Sequence, residues 1–142
     1  FHFNRIVILL EKSKSNIYSS IMKPKKINIK KKFDLFSDFW SPKVVAEMND
    51  YQFKLAKVKG EFIWHNHKET DEVFIIIEGK MKIEFRDKTV LLKEGEMYVV
   101  PKGIDHKPFA DEECKIMLVE PKGIVNTGST TSDLTSENDV WI

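Results

Sequence analysis

Three of the four histidines in this sequence lie near one glutamate at a spacing that suits a metal site. His65 and His67 are two residues apart, so both imidazoles project from one face if the chain is extended there. Glu72 follows a polar turn and starts an apolar segment, so a hairpin can return its carboxylate to the level of the imidazoles. His106 follows the turn 101–105 and supplies a fourth donor.

These donors are chemically suited to one divalent transition metal. Imidazole nitrogens with a carboxylate fit Fe, Mn, Co, Ni, Cu or Zn, whereas magnesium and calcium prefer oxygen ligands alone. Three histidines and one carboxylate leave positions open on an octahedral ion, where a substrate oxygen, water or dioxygen can bind. An H-x-H pair alone is weakly informative, and a hydrogen-bonded polar cluster without metal is the alternative. The donor chemistry therefore suits a metal ion but leaves both its presence and its identity open at this point.

Side chains that share strand parity with the donors predict an apolar cavity beside the metal. We interpret four of them as candidate substrate contacts, with ordinary core packing as the alternative: Ile63, Phe74, Ile76 and Pro108. The two arginines, Arg5 and Arg86, do not form a cluster that could clamp a phosphate, although Lys54 or Lys57 could point inward. A small, weakly charged organic ligand is therefore expected rather than a phosphorylated sugar.

The elements that must position these residues are strands. Short segments of alternating apolar and polar residues, separated by turn residues, predict an antiparallel all-β fold, and the clearest are 44–48, 51–58, 81–85 and 115–119. Segment 73–77 is apolar on both faces, so another sheet or another subunit should cover it. Only residues 33–40 have a helical alternative.

Length and composition limit the function further. A chain of 142 residues fits one domain, and a net charge of +1 gives no general attraction to nucleic acid or membrane. The one cysteine, Cys114, excludes an internal disulfide and fits a reducing compartment, so we expect a cytoplasmic protein. The pattern around Cys114 favours a structural residue at a loop or strand start over a catalytic thiol.

The chain divides into four parts. Residues 1–21 are interpreted as a leader, a cloning remnant or an upstream extension, with an ordinary N-terminal strand as the alternative. Their apolar run 6–10 is far shorter than the about 20 residues of a membrane span. Residues 22–43 are expected to form an N-terminal strand or arm, and 44–120 a barrel. Residues 121–142 are expected to form a tail whose apolar end packs on the barrel or on a partner.

Two spaced motifs resemble those of the cupin superfamily. The first, G-x4-H-x-H-x4-E-x6-G, runs from Gly60 to Gly79, and the second, G-x5-P-x-G-x2-H, runs from Gly95 to His106. The resemblance implies a single-domain double-stranded β-helix, or jelly-roll barrel, over 44–120. It also implies that the three histidines and the glutamate are metal ligands. One departure is Ala110, where cupins usually have an asparagine; this concerns strand packing rather than the ligands.

The pattern extends into the tail and is similar to that of small bacterial single-domain cupins of the cupin-2, RmlC-like type, often named as relatives of mannose-6-phosphate isomerase. Fold alone does not fix function, so three hypotheses follow. The first is a mononuclear metalloenzyme, of the oxygenase or the isomerase or lyase type. The second is a non-catalytic metal-dependent small-molecule binder or sensor, and the third is a structural barrel with a vestigial site.

The outer surface also predicts an assembly. Small cupins usually pair through sheet edges and outward apolar strands, so we expect a homodimer. Segment 73–77, together with Phe62 and Trp64 on the outward parity, would supply the surface. Burial beneath N-terminal strands of the same chain is the alternative.

Overall fold

The computed structural model describes residues 25–142, so the interpretation of 1–21 lies outside the described residues. The described part contains seven strands and one short helix. They are α1 (Ile29–Phe33), β1 (Lys43–Met48), β2 (Tyr51–Glu61), β3 (Glu72–Glu78), β4 (Lys80–Phe85), β5 (Thr89–Lys93), β6 (Met97–Val100) and β7 (His106–Pro121).

All strand pairs are antiparallel, and β7 connects them. The main sheet has the order β1-β2-β7-β3-β6, while β4 pairs with both β5 and β7. The start of β7 pairs with β4 and its later part with β3, while β2 runs along most of its other edge. This arrangement confirms the predicted all-β jelly-roll barrel.

Two elements differ from the sequence-based expectation. Strand β7 is continuous over 16 residues, so Cys114 lies in its interior and is fully buried rather than at a strand start. The helix α1 lies N-terminal to the segment 33–40 that had the helical alternative, and the side chain of Asn28 caps it by accepting a hydrogen bond from the Lys31 amide. The cap fixes the beginning of the helix where the chain enters it.

Strand β2 is buried on both faces over much of its length. Gln52 and Lys54 are buried on the inner face with Ala56 and Val58, although both are polar. Leu55 is buried on the outer face, where α1 covers it in a second apolar cluster with Phe33, Val45 and Ile142. Because α1 covers the outer face, apolar residues there do not mark the barrel interior.

The C-terminal residues 122–142 lie along the barrel. The Val44 amide donates to the Val140 carbonyl at 2.7 Å, and the Ile142 amide donates to the Val44 carbonyl at 3.1 Å. Upstream, the Asn126 amide group donates to the carbonyls of Trp40 and Leu134 at 2.9 and 2.8 Å. These contacts attach the tail to β1 and to the segment before it.

Candidate metal centre

The four predicted donors converge inside the barrel. One donor atom from each of His65, His67, Glu72 and His106 lies within 4.8 Å of the others, and all four residues are buried. Glu72 Oε2 lies 3.1 Å from His106 Nε2 and 3.3 Å from His67 Nε2. The His65 and His106 rings are 4.3 Å apart between centroids. The structure thus brings together the residues that the spacing predicted.

Backbone hydrogen bonds between the two histidine segments set this geometry. The His65 amide donates to the His106 carbonyl at 3.1 Å, and the His106 amide returns a bond to the His65 carbonyl at 2.9 Å. The Gly103 amide donates to the His67 carbonyl at 2.8 Å. The side chain of Asn66 donates to Asp105 at 2.7 Å. The loop that carries His65 and His67 is therefore bonded to the start of β7 and to the turn before it.

The segment 62–66 does not continue β2 as a regular strand. Within it, only His65 makes an isolated bridge. The β2–β7 register shifts between Val58 and Gly60, where Gly60 has φ +75°, and the ladder ends at Glu61. The extra residues at that shift, 111–113, lie on β7 opposite Lys59, so Phe62 keeps the inward parity of Ala56 and Val58, and simple alternation fails between Phe62 and His65. Phe62 therefore points inward and stacks on Trp40 at 4.7 Å rather than forming part of an outer surface.

Hydrogen bonds at the ring nitrogens favour metal binding through Nε2. A carbonyl oxygen can only accept, so His65 Nδ1 donates to Ile63 O at 3.0 Å and His106 Nδ1 donates to Ile104 O at 2.9 Å. These tautomers leave the Nε2 lone pairs directed at the cluster, an arrangement common in metal-binding histidines. His67 Nε2 is buried and has no hydrogen-bond partner within the described chain. The donor set therefore fits a divalent transition metal.

Burial and charge determine the protonation of the donors. Burial, followed by the neighbouring His106, lowers the pKa of His65 to about 4, so its imidazole is neutral near neutral pH. Burial opposes ionisation of Glu72, but its contacts with His106 and His67 outweigh burial and lower its pKa to about 2. Burial opposes protonation of His67, but Glu72 outweighs it and raises the pKa of His67. A carboxylate and a neutral imidazole are thus already available to a metal.

A small cavity adjoins the cluster. Its volume is about 30 Å³, and its wall includes the metal-site residues His65 and Glu72. The other lining residues are Trp40, Ala56, Val58, Phe62, Phe74, Pro108, Ile116, Leu118 and Asn126. The space is enough for about one or two water molecules, and its wall is mainly apolar.

The predicted substrate contacts divide into two groups in the structure. Phe74 and Pro108 line the cavity. Ile76 is buried in the core, and Ile63 is half-buried against it. Whether Phe74 and Pro108 contact a ligand stays a prediction. Phe62 occupies the wall position expected for Ile63, because the chain leaves strand geometry after Glu61.

Sequence reasoning missed a buried ion pair inside the barrel. Lys54 Nζ lies 2.8 Å from Glu120 Oε1, with the two side chains 3% and 1% exposed. Burial and the charge of Glu72 raise the pKa of Glu120 to about 7, and Lys54 opposes that rise. The sequence allowed an inward Lys54 but indicated no partner for it.

The other charged residues considered from sequence lie elsewhere. Lys57 donates to the Phe36 carbonyl at 2.8 Å, on the side of the sheet covered by the N-terminal segment. Arg86 lies over the Trp64 ring at 3.8 Å and does not line the cavity. Burial and Glu78 raise the pKa of Cys114 to about 11, so this thiol is not ionised at neutral pH.

Comparisons with known proteins agree with the fold and the motifs. The Cupin_2 family model, described as a cupin domain, matches residues 53–120. A cupin-2 domain protein from Shewanella frigidimarina is 64% identical, with 68% of this chain and 94% of that chain covered and a TM-score of 0.67. NMB1881 from Neisseria meningitidis is 33% identical, with 69% and 100% covered and a TM-score of 0.64. The uncharacterized protein YdbB of Bacillus subtilis is 42% identical over 79 residues, covering 55% of this chain and 70% of YdbB.

Fold, motifs and relatives together define a small single-domain cupin. The chain belongs to the cupin-2 family. Among residues 25–142, no helix is long and apolar enough to cross a membrane.

Proposed function

We propose that this protein is a mononuclear metal-binding cupin that acts on a small organic molecule, in a reaction of the oxygenase or the isomerase or lyase type. The observation that carries the proposal is the buried convergence of His65, His67, Glu72 and His106, with the Nε2 atoms directed at one point. A divalent ion held there would supply Lewis acidity toward an oxygen atom of a bound molecule.

The chain's own residues would bind and enclose that molecule. Phe62, Phe74 and Trp40 form an apolar wall beside the donors, which favours an organic group over bulk water. The cavity of about 30 Å³ admits only a very small group, so its wall, which includes Asn126 of the tail, would have to move for a larger substrate. The apolar wall and the distant Arg86 support a weakly charged ligand rather than a sugar phosphate.

Turnover can be tested with defined metal forms of the protein. Iron, manganese and zinc forms are screened for oxygen consumption and for isomerisation of small hydroxycarbonyl compounds, with Glu72→Gln as the inactive control. Metal-dependent turnover that disappears in Glu72→Gln supports an enzyme. Tight metal and ligand binding without turnover in every form supports a non-catalytic binding or sensor protein instead.

We also propose a homodimer formed by the outer face of the main sheet. Val73 pairs with Val99 and Val119, and Ile75 pairs with Met97, so their outward side chains form one apolar surface. Met97 and Val99 are 56% and 46% exposed. An apolar patch of this kind favours contact with a second copy. A reducing compartment, the cytoplasm, stays a prediction that rests on the single buried cysteine, Cys114.

A further inference from the structure

A second polar cluster lies beside the four donors on the inner face of the barrel. Glu120 is the register partner of Gln52 in the β2–β7 pair. The β3–β7 register, which pairs Val73 with Val119, places Glu120 opposite Glu72 one position further along. All three of these polar residues are buried, with exposures of 0% for Gln52, 1% for Glu120 and 4% for Glu72. Facing side chains on neighbouring strands are close enough to share a ligand.

This cluster has hydrogen-bond acceptors without donors. Glu120 Oε1 accepts from Lys54, which also donates to the Ile124 carbonyl at 3.2 Å. The Gln52 amide nitrogen donates to Glu47 at 2.9 Å and to Asp139 at 2.7 Å, which fixes the amide orientation. The remaining oxygens, Glu120 Oε2 and Gln52 Oε1, are buried and have no partner among residues 25–142. Buried acceptors of this kind require a donor.

The chemistry of that donor is restricted by the charges around it. Lys54 already supplies a cation to Glu120, so a second metal ion is disfavoured and a hydroxyl group fits better. With a divalent ion on the donors, the ion and Lys54 carry one more positive charge than the two negative charges of Glu72 and Glu120 neutralise. A ligand carrying one negative charge would therefore balance the interior.

We propose that the cluster of Glu120, Gln52 and Lys54 is a ligand subsite that binds the hydroxyl of a small monoanionic 2-hydroxy acid whose carboxylate binds the metal. The hydroxyl donates to Glu120 Oε2. This inference rests on the proposed metal-binding function and specifies the substrate class of the same site. Glu120 is a positioning residue here, because it orients the ligand and does not bind the metal.

The test compares two probes of similar size on the cobalt(II) form at pH 8. Glycolate carries the hydroxyl, and propionate carries a methyl group in its place. Binding of each is followed by the visible absorption of cobalt(II), which reports on the metal directly. Glycolate chelates free metal ions more strongly than propionate does, so its higher affinity alone is not evidence for the subsite. The test is whether the ratio of glycolate affinity to propionate affinity differs between the unmodified protein and each variant.

Glu120→Gln replaces the free acceptor with an amide donor and should lower the preference for glycolate about tenfold or more, the effect of losing a hydrogen bond to a charged group. The control Glu78→Gln alters an exposed pair with Lys115 and should leave the preference unchanged. An equal preference in the unmodified protein and Glu120→Gln overturns the proposed subsite. Cobalt(II) that fails to bind the unmodified protein overturns the metal-binding function, and the subsite with it.

A second measurement does not depend on the variant folding. A crystal structure of the unmodified protein with cobalt(II) and glycolate should show the glycolate hydroxyl within about 3.0 Å of Glu120 Oε2. A water molecule between Glu120 and Gln52, with the glycolate hydroxyl directed elsewhere, would assign these acceptors to a structural water and overturn the proposal.

Discussion

At the scale of single residues, the position of Glu72 between His67 and His106 determines the protonation of the centre. Its carboxylate contacts both His67 and His106, which keeps it ionised although it is buried. The same contact raises the pKa of His67, whereas burial lowers the pKa of His65 to about 4. Two neighbouring imidazoles therefore differ in the pH range over which protons compete with a metal.

Metal binding should release a proton from His67. The pKa of His67 is raised above its usual value of 6.5, so the metal-free protein keeps this proton to a higher pH than a free histidine does. A metal requires the neutral ring, so the proton must leave when the metal binds. Apparent affinity should therefore fall as the pH decreases from 8 to 6, by up to about tenfold per unit, while His65 contributes little until near pH 4. Calorimetry in buffers of different ionisation enthalpy measures the released proton. Binding at pH 6 with no proton release would contradict this assignment.

At the scale of elements, the sequence predicts those features that depend on local residue spacing and turns. The donor spacing, the turns before Glu72 and His106, and the resemblance to the two cupin motifs together predicted the four-residue cluster. The polar residues on the inner face of β2 could not be assigned to that face by alternation, because α1 covers the other face and both faces are buried. Phe62 was misplaced because the parity of His65 was extended back through residues 62–64, which are not a strand, whereas Phe62 follows the parity of Ala56 and Val58.

The C-terminal tail packs against the histidine loop at Gly128. A Cβ on Gly128 would overlap the Asn66 carbonyl oxygen and lie 3.5 Å from His67 Nδ1. Gly128 also has φ +61°, in the region where a side chain is unfavourable. The close packing leaves no room for a side chain between the tail and the histidine loop.

Gly128→Ala should therefore reduce both stability and metal affinity. We expect a loss of about 2–4 kcal/mol in the free energy of unfolding, since overpacking adds to backbone strain. Gly123 is a matched control, because it has φ +91° but no atoms within 4 Å of an added Cβ. Gly123→Ala should cost about 1 kcal/mol from backbone strain alone. Denaturant unfolding of the two variants separates the effects, and equal losses would argue against close packing of the tail on Asn66.

At the scale of the whole molecule, the outer face of the main sheet contrasts with its covered neighbour. The helix α1 and Ile142 bury the Leu55 side of this face. Further along the same face, Met97 and Val99 on β6 stay exposed. The predicted cover for segment 73–77 is therefore provided in part by the chain itself, and a second copy is proposed for the remainder.

Val99→Lys should convert the proposed dimer into a monomer. The side chain is 46% exposed, so a lysine there places a charge in the interface without disturbing the core. Leu91→Lys on β5 is a matched control with the same exposed fraction and should remain dimeric. Size-exclusion chromatography with light scattering gives the mass of each. A monomeric unmodified protein would contradict the proposed interface.

The central claim is that His65, His67, Glu72 and His106 hold one divalent metal ion. Its most direct test is elemental analysis of the unmodified protein, Glu72→Gln and His106→Ala, each purified without added metal and shown to be folded. Glu78→Gln, an exposed substitution on the same strand, is the control. The account predicts about one ion per chain in the unmodified protein and control, and nearly complete loss in the other two. Full metal occupancy in Glu72→Gln and His106→Ala would contradict it.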